Sequence, residues 1–156
     1  MAYTIEQFES TPVDSRVLAE LEEAVNMNGL REDLPSFFAF IRRRDIIGQM
    51  EMLADQPGAS GGAPLLICGF FRLDDAASSQ LTLLAMGNMM RTLEEQGLSA
   101  QYVTFARDVF NNSRYNKLTA ACGVPEGFSC IGALAAGRAA VKSEYADKHT
   151  IFSYIQ

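Results

Sequence analysis

Residues Ala63-Pro64-Leu65-Leu66-Ile67-Cys68-Gly69-Phe70-Phe71 run for nine positions without a charged side chain. Side chains on a strand alternate between two faces, so a run that offers nothing polar to either face has to be covered on both. The run is about half the length of a membrane crossing. It reads instead as an interior strand of a sheet packed on both faces, and the rest of the chain must supply that cover.

Candidates for the cover are legible. Pro12-Val13-Asp14-Ser15 can cap a helix start, and Val17, Leu18, Leu21 and Val25 come next at helical spacing, with Glu20, Glu22 and Glu23 mostly on the opposite side. Asn28-Gly29 marks its end. Phe37-Phe38-Ala39-Phe40-Ile41, bounded by Pro35 and by Arg42-Arg43-Arg44, reads as a strand, and Asp45 to Ala54 as a short helix. Gln56 to Gly62 is a loop. Ser79 to Gln96 is the longest helix, stopped by Gly97, and its Leu81, Leu83, Leu84, Met86, Met89, Met90 and Leu93 surround most of its circumference, which predicts burial in a core or interface. Gln101 to Ala106 reads as a strand, Asn111-Asn112-Ser113 as the cap of a helix through Ala121, and Gly123 to Gly127 as a turn. Phe128 to Ala136 reads as a second interior strand. The apolar end, Thr150 to Gln156, is expected to pack, with a partner subunit as one surface open to it. Alternating helices and strands with no internal repeat predict one domain over residues 1–156 around a single sheet.

Charge narrows the partners. The 156 residues hold 13 Lys+Arg against 19 Asp+Glu, a formal net charge of −6. That balance argues against nucleic acid, whose backbone needs clustered cations, and against a polybasic membrane contact. The excess is local: residues 1–60 hold five Arg against eleven acids, whereas residues 61–156 hold eight of each sign. The single histidine, His149, excludes metal sites built from several imidazoles, and no metal site is expected. Cys68, Cys122 and Cys130 are odd in number and lack CxxC spacing. With an N-terminus that has no basic start or apolar core, they read as reduced thiols of a cytoplasmic protein.

No catalytic constellation is visible. Gly58 to Gly62 precedes a strand and does not join a strand to a helix, so it reads as a plain loop rather than a phosphate cradle. Arg42 to Arg44 read as a solvated strand end before an anion site. Asp74-Asp75 and Glu94-Glu95 read as solvated pairs, the cysteines as inert core thiols, and the methionines of the long helix as core. Such a chain suits an enzyme whose cofactor performs the reaction, and equally a protein with no catalysis.

The order of segments resembles the short members of the nitroreductase-like flavin-dependent oxidoreductases. Phe8-Glu9-Ser10-Thr11-Pro12-Val13 resembles that family's opening, Ala63 to Ile67 its central strand, and Gly87 to Leu98 its core helix and turn. Leu118 through Val124-Pro125-Glu126-Gly127 and Ile131 to Gly137 resemble its last turn and strand. The resemblance implies a two-layer α+β fold, with a central mixed sheet flanked by helices, in a homodimer. It further implies FMN in interface clefts and hydride transfer from a nicotinamide through flavin to a small organic acceptor, a nitro-aromatic or quinone. On that alignment Lys148 corresponds to a phosphate-binding position, Arg42 is a second basic candidate, and Gln101, Tyr102 and Thr104 fall where the flavin ring is lined. Two departures stand out. Glu6 occupies the opening where the family carries phosphate-gripping arginines, and of its flavin segment only Pro35 survives in Glu32-Asp33-Leu34-Pro35-Ser36. The alternative is therefore a flavin-free protein of the same fold that binds a ligand or partner.

Overall fold

The structure is a computed structural model that describes residues 2–26, 36–145 and 151–155. The interior run becomes β3 (Leu65–Arg72), paired with β2 (Ser36–Ile41) on one side and β5 (Phe128–Gly137) on the other. β4 (Ser99–Val103) closes the far edge, giving the order β2-β3-β5-β4. Alternate residues of β3 enter two separate cores: Leu66, Cys68 and Phe70 one, Leu65 and Ile67 the other.

The second core is roofed by α1 (Ser15–Asn26) and α3 (Ser78–Glu95). Val17, Leu21 and Val25 meet Met86, Met89 and Leu93 over Ile67 and Leu134. Asp14 starts α1 as expected: its carboxylate accepts from the Arg16 amide at 2.9 Å and its carbonyl from Val17 at 2.9 Å. Gly97, at φ +75°, ends α3 with the Leu98 amide reaching back to the Leu93 carbonyl and the Gly97 amide to that of Glu94. That paired closure is the left-handed glycine stop the sequence predicts. Within the single chain α3 buries Ala85, Met86, Met89 and Leu93 and leaves Leu83 and Leu84 exposed.

On the other face lie α2 (Arg44–Leu53), α4 (Phe105–Phe110) and α5 (Asn116–Ala121). Ile47, Met50, Phe105 and Val109 cover Cys68, Phe70 and Ala133, with Phe70 and Phe110 edge to face at 5.0 Å between ring centres. Helices on both faces make three layers where two were expected. The α+β class and the sheet flanked by helices are as expected.

Three further features differ from the sequence pattern. Every strand pairing among the described residues is antiparallel, where a mixed sheet was implied. The helical crossover through α3 does make β3 and β4 run in the same direction, but β5 lies between them and opposes both. The predicted strand through Ala106 stops at Val103, and Phe105 and Ala106 are already helical and fully buried. Finally, β1 (Ala2–Phe8) and β6 (Ala139–Tyr145) form an antiparallel ribbon that the sequence pattern did not mark. Asn28, Gly29, the Glu32–Pro35 stretch, Lys148 and His149 lie outside the described residues.

Candidate functional site

β4 is an edge strand that carries two of the candidate residues on opposite faces. Gln101 and Tyr102 are successive in the strand, so their side chains leave the sheet in opposite directions. Gln101 points toward the ribbon: its side-chain oxygen accepts from the Ile5 amide at 3.1 Å, beside a register irregularity of β1. Tyr102 lies over β5 instead. There, one residue too many, Ile131, interrupts the pairing between Gly69–Gly132 and Phe70–Cys130. A bulged residue is left without its ladder partner, and the Tyr102 hydroxyl donates to the Ile131 carbonyl at 2.8 Å. The ring occupies the space of a side chain at Gly132, where an added Cβ would stand 2.1 Å from the Tyr102 oxygen. Burial of this phenol, the largest influence on it, pushes its pKa up from the ordinary value. Thr104 precedes α4, and its carbonyl accepts from the Arg107 amide at 3.0 Å; its hydroxyl makes no capping bond.

Arg42 sits at the other side of the molecule. Ile41, Leu66, Ala135 and Gln101 form one rung across the sheet, which separates the β2 and β4 edges by three strand spacings, about 14 Å. Within one chain, Arg42 and the β4 residues do not converge. Arg42 borders a groove of about 490 Å³ along β2, walled chiefly by Phe37, Phe38, Phe40 and Leu118. In the sequence, only the density of aromatics in residues 37–40 signals this groove.

The cations are largely committed. Arg43 makes two bonds to Asp45, at 2.6 and 3.2 Å, holding the Asp45 carboxyl below its usual range. Arg44 turns inward to the Ser60 hydroxyl (3.1 Å) and the Ala63 carbonyl (2.9 Å), and lies 3.8 Å from the buried Glu51, which accepts the Ser60 amide at 2.7 Å. Arg42 donates to the Val13 carbonyl at 3.3 Å. Arg72, Arg91, Arg107 and Arg138 each have a carboxylate within 4 Å. In the ribbon, Glu6 accepts from Ser143.

The cysteines are core groups. Burial pushes the Cys68 thiol well up, and the Cys130 thiol up to about 12, where the Gly132 carbonyl accepts its S–H. Cys122, half-buried, is raised for the same reason. No group of three metal-ligating side chains occurs among the described residues, and no described helix is long and apolar enough to cross a membrane.

A flavin mononucleotide presents a flat ring, a polyol chain and a phosphate dianion. An uncommitted Thr104 hydroxyl and the free N–H groups of the Gln101 amide suit the polar rim of a ring. For the phosphate, Arg42, bonded only to a backbone carbonyl, borders the β2 groove, and Arg16 and Arg138 line a second pocket with Gln96 and Leu98 just ahead of β4.

No protein-family model and no curated protein matches the sequence. Solved structures do match. The chain is similar to an FMN-bound nitroreductase of Bacteroides fragilis at TM-score 0.83 and 13% identity, covering 98% of this chain and 94% of that one. An FMN-dependent nitroreductase of Clostridium difficile superposes at 0.81 and 10% identity, covering 98% and 93%. An iodotyrosine deiodinase bound to FMN and 3-iodo-L-tyrosine superposes at 0.74 and 16%, covering 98% and 94%. The chain has the nitroreductase fold.

Proposed function

We propose that this chain is a flavin-dependent oxidoreductase that works as a homodimer. It would pass reducing equivalents from a nicotinamide to a small organic acceptor of the nitro-aromatic or quinone class. The observation carrying this reading is the match, end to end, to a fold whose matched examples hold or depend on FMN. A bound flavin would supply the redox chemistry, consistent with a chain that assembles no acid–base pair or nucleophile of its own among the described residues. Thr104 and Gln101 are the proposed ring-side contacts. Lys148 and Arg42 are the proposed anion contacts, Arg42 from the partner side of a cleft because its own chain keeps it about 14 Å from β4.

The homodimer is supported by the C-terminal segment, where Ile151 and Ile155 are 92% and 97% exposed and Phe152 and Tyr154 largely so. Apolar side chains in a row lose solvent contact favourably only if something covers them. A second reading, a flavin-free ligand- or partner-binding protein, is favoured by one observation, the engagement of Arg43 by Asp45 and of Arg44 by Ser60, Ala63 and Glu51. Flavin titration separates the two. Quenching of flavin fluorescence with one flavin per chain supports the enzyme, and a protein that leaves flavin fluorescence and absorbance unchanged supports the second reading.

A further inference from the structure

We propose that the pocket bordered by Arg16 and Arg138 binds a phosphoryl group. It lies at the end of the sheet where the chain passes from β1 to α1, has a volume of about 220 Å³ and shares no lining residue with the β2 groove. Three separate connections meet there and are tied to the fold. The Glu9 amide donates to the Arg138 carbonyl at 2.8 Å, the Leu98 amide to the Leu93 carbonyl at 2.9 Å, and Ser99 pairs with Gly137. Arg16 and Arg138 therefore approach one cavity from α1 and from the β5–β6 junction, on backbone that is already fixed. Thr11 and Gln96 add a hydroxyl and an amide to the wall.

The charges of this pocket favour an anion. The Arg16 guanidinium has no hydrogen bond or ion pair among the described residues. Arg138 stands 3.6 Å from Glu9, beyond hydrogen-bonding length and with both side chains exposed, a contact that contributes little and is easily shared. Arg42 donates to the carbonyl of Val13, a residue of the wall, and so brings a third guanidinium against it. Asp14 opposes these charges, with one of its oxygens already accepting from the Arg16 amide at 2.9 Å. On and against the walls, three guanidinium groups thus meet two carboxylates, Asp14 and Glu9, in a chain whose overall charge is −6. The start of α1 is not the source of attraction, because Asp14 already takes the amides of Arg16, Val17 and Leu18. Guanidinium forks bond oxyanions in pairs of N–H···O contacts. Two forks from separate elements offer more donors than one carboxylate can accept, and the three terminal oxygens of a phosphoryl group suit them better. The proposal stands without the flavin reading. Under that reading, FMN and a nicotinamide dinucleotide are two bearers of the group, and free phosphate is a third.

The test is a titration of the full chain with inorganic phosphate, followed in amide NMR spectra against chloride at matched ionic strength. Saturable shifts are expected at the amides of Arg16, Leu98 and Arg138. An Arg16→Gln/Arg138→Gln variant, whose spectrum also reports that it folds, should bind phosphate about tenfold more weakly or worse, whereas Arg114→Gln should leave affinity unchanged. Absence of saturable shifts at those amides overturns the proposal, as does a double variant that binds phosphate within about threefold of the parent. The bearer is read by repeating the comparison with FMN, riboflavin and NADH. A bearer that occupies the pocket competes with phosphate and loses about tenfold in the double variant, with riboflavin unaffected. If the variant loses phosphate but binds FMN and NADH as before, the pocket serves free phosphate, and the flavin reading is decided by its own titration.

Discussion

Tyr102 and Gly132 show how a side chain expected to serve a cofactor can be engaged by the fold. The phenol stands where Gly132 has no side chain and satisfies the carbonyl that the Ile131 bulge strands. Gly132→Ala must displace the ring, and we expect a loss of about 1–2 kcal/mol in denaturant unfolding. In a Tyr102→Ala background the same change should cost almost nothing, because the obstacle is gone; an undiminished cost would place the strain elsewhere. Glu51 is a different case, a buried carboxylate that satisfies the Ser60 amide and faces Arg44. Glu51→Ala should destabilise by about 2 kcal/mol through the unpaired amide, and speed proteolysis within the 55–63 loop. The thiols test burial directly. With pKa values raised by desolvation, Cys68 and Cys130 stay protonated and resist a thiol reagent at pH 8, leaving no more than Cys122 to react until the chain unfolds. A folded pKa above the unfolded value of about 8.5 stabilises at lower pH, and that contribution is lost as pH rises. Unfolding stability should therefore fall from about pH 9 toward pH 12, and less steeply in a Cys130→Ala variant measured against its own value at pH 7.

At the scale of elements, legibility depended on how many faces a segment buries. β3 and β5 are covered on both sides and α1 has a single apolar stripe, so hydrophobic pattern alone located them. The ribbon escaped because Ala2 to Phe8 mixes Thr4, Glu6 and Gln7 with apolar residues and relies on a distant partner, β6, for its hydrogen bonds. α4 escaped because Phe105 and Ala106 prolong the apolar character of β4 across a change of backbone, and periodicity over six residues cannot separate a buried turn of helix from a strand. Gln101 joins the ribbon to the edge strand that precedes α4. Gln101→Ala would leave the Ile5 amide unpaired, so amide exchange should accelerate at Ile5 and along β1 while β3 stays protected. Equal acceleration in both would show that the ribbon and the main sheet open as one unit.

For the whole molecule, the fold was legible because segment order and length survive where residue identity does not; the matched structures share 10–16% of residues yet superpose over nearly the full chain. The site was less legible. Arg42 and the Gln101–Thr104 stretch lie at opposite edges of the sheet, and whether a partner brings them together depends on a surface that one chain's sequence does not display. The exposed Ile151 to Ile155 segment is a candidate part of that surface. Deleting residues 151–156 should shift a dimer toward monomer in light scattering, with the monomer keeping its helical circular dichroism; an unchanged dimer would remove the segment from the interface. The measurement that reaches the central claim is flavin occupancy: the purified chain, saturated with flavin and freed of excess, should carry one flavin per chain and show the near-ultraviolet and blue absorbance bands of a bound ring. A colourless protein, with added flavin recovered entirely unbound, would contradict the flavin role.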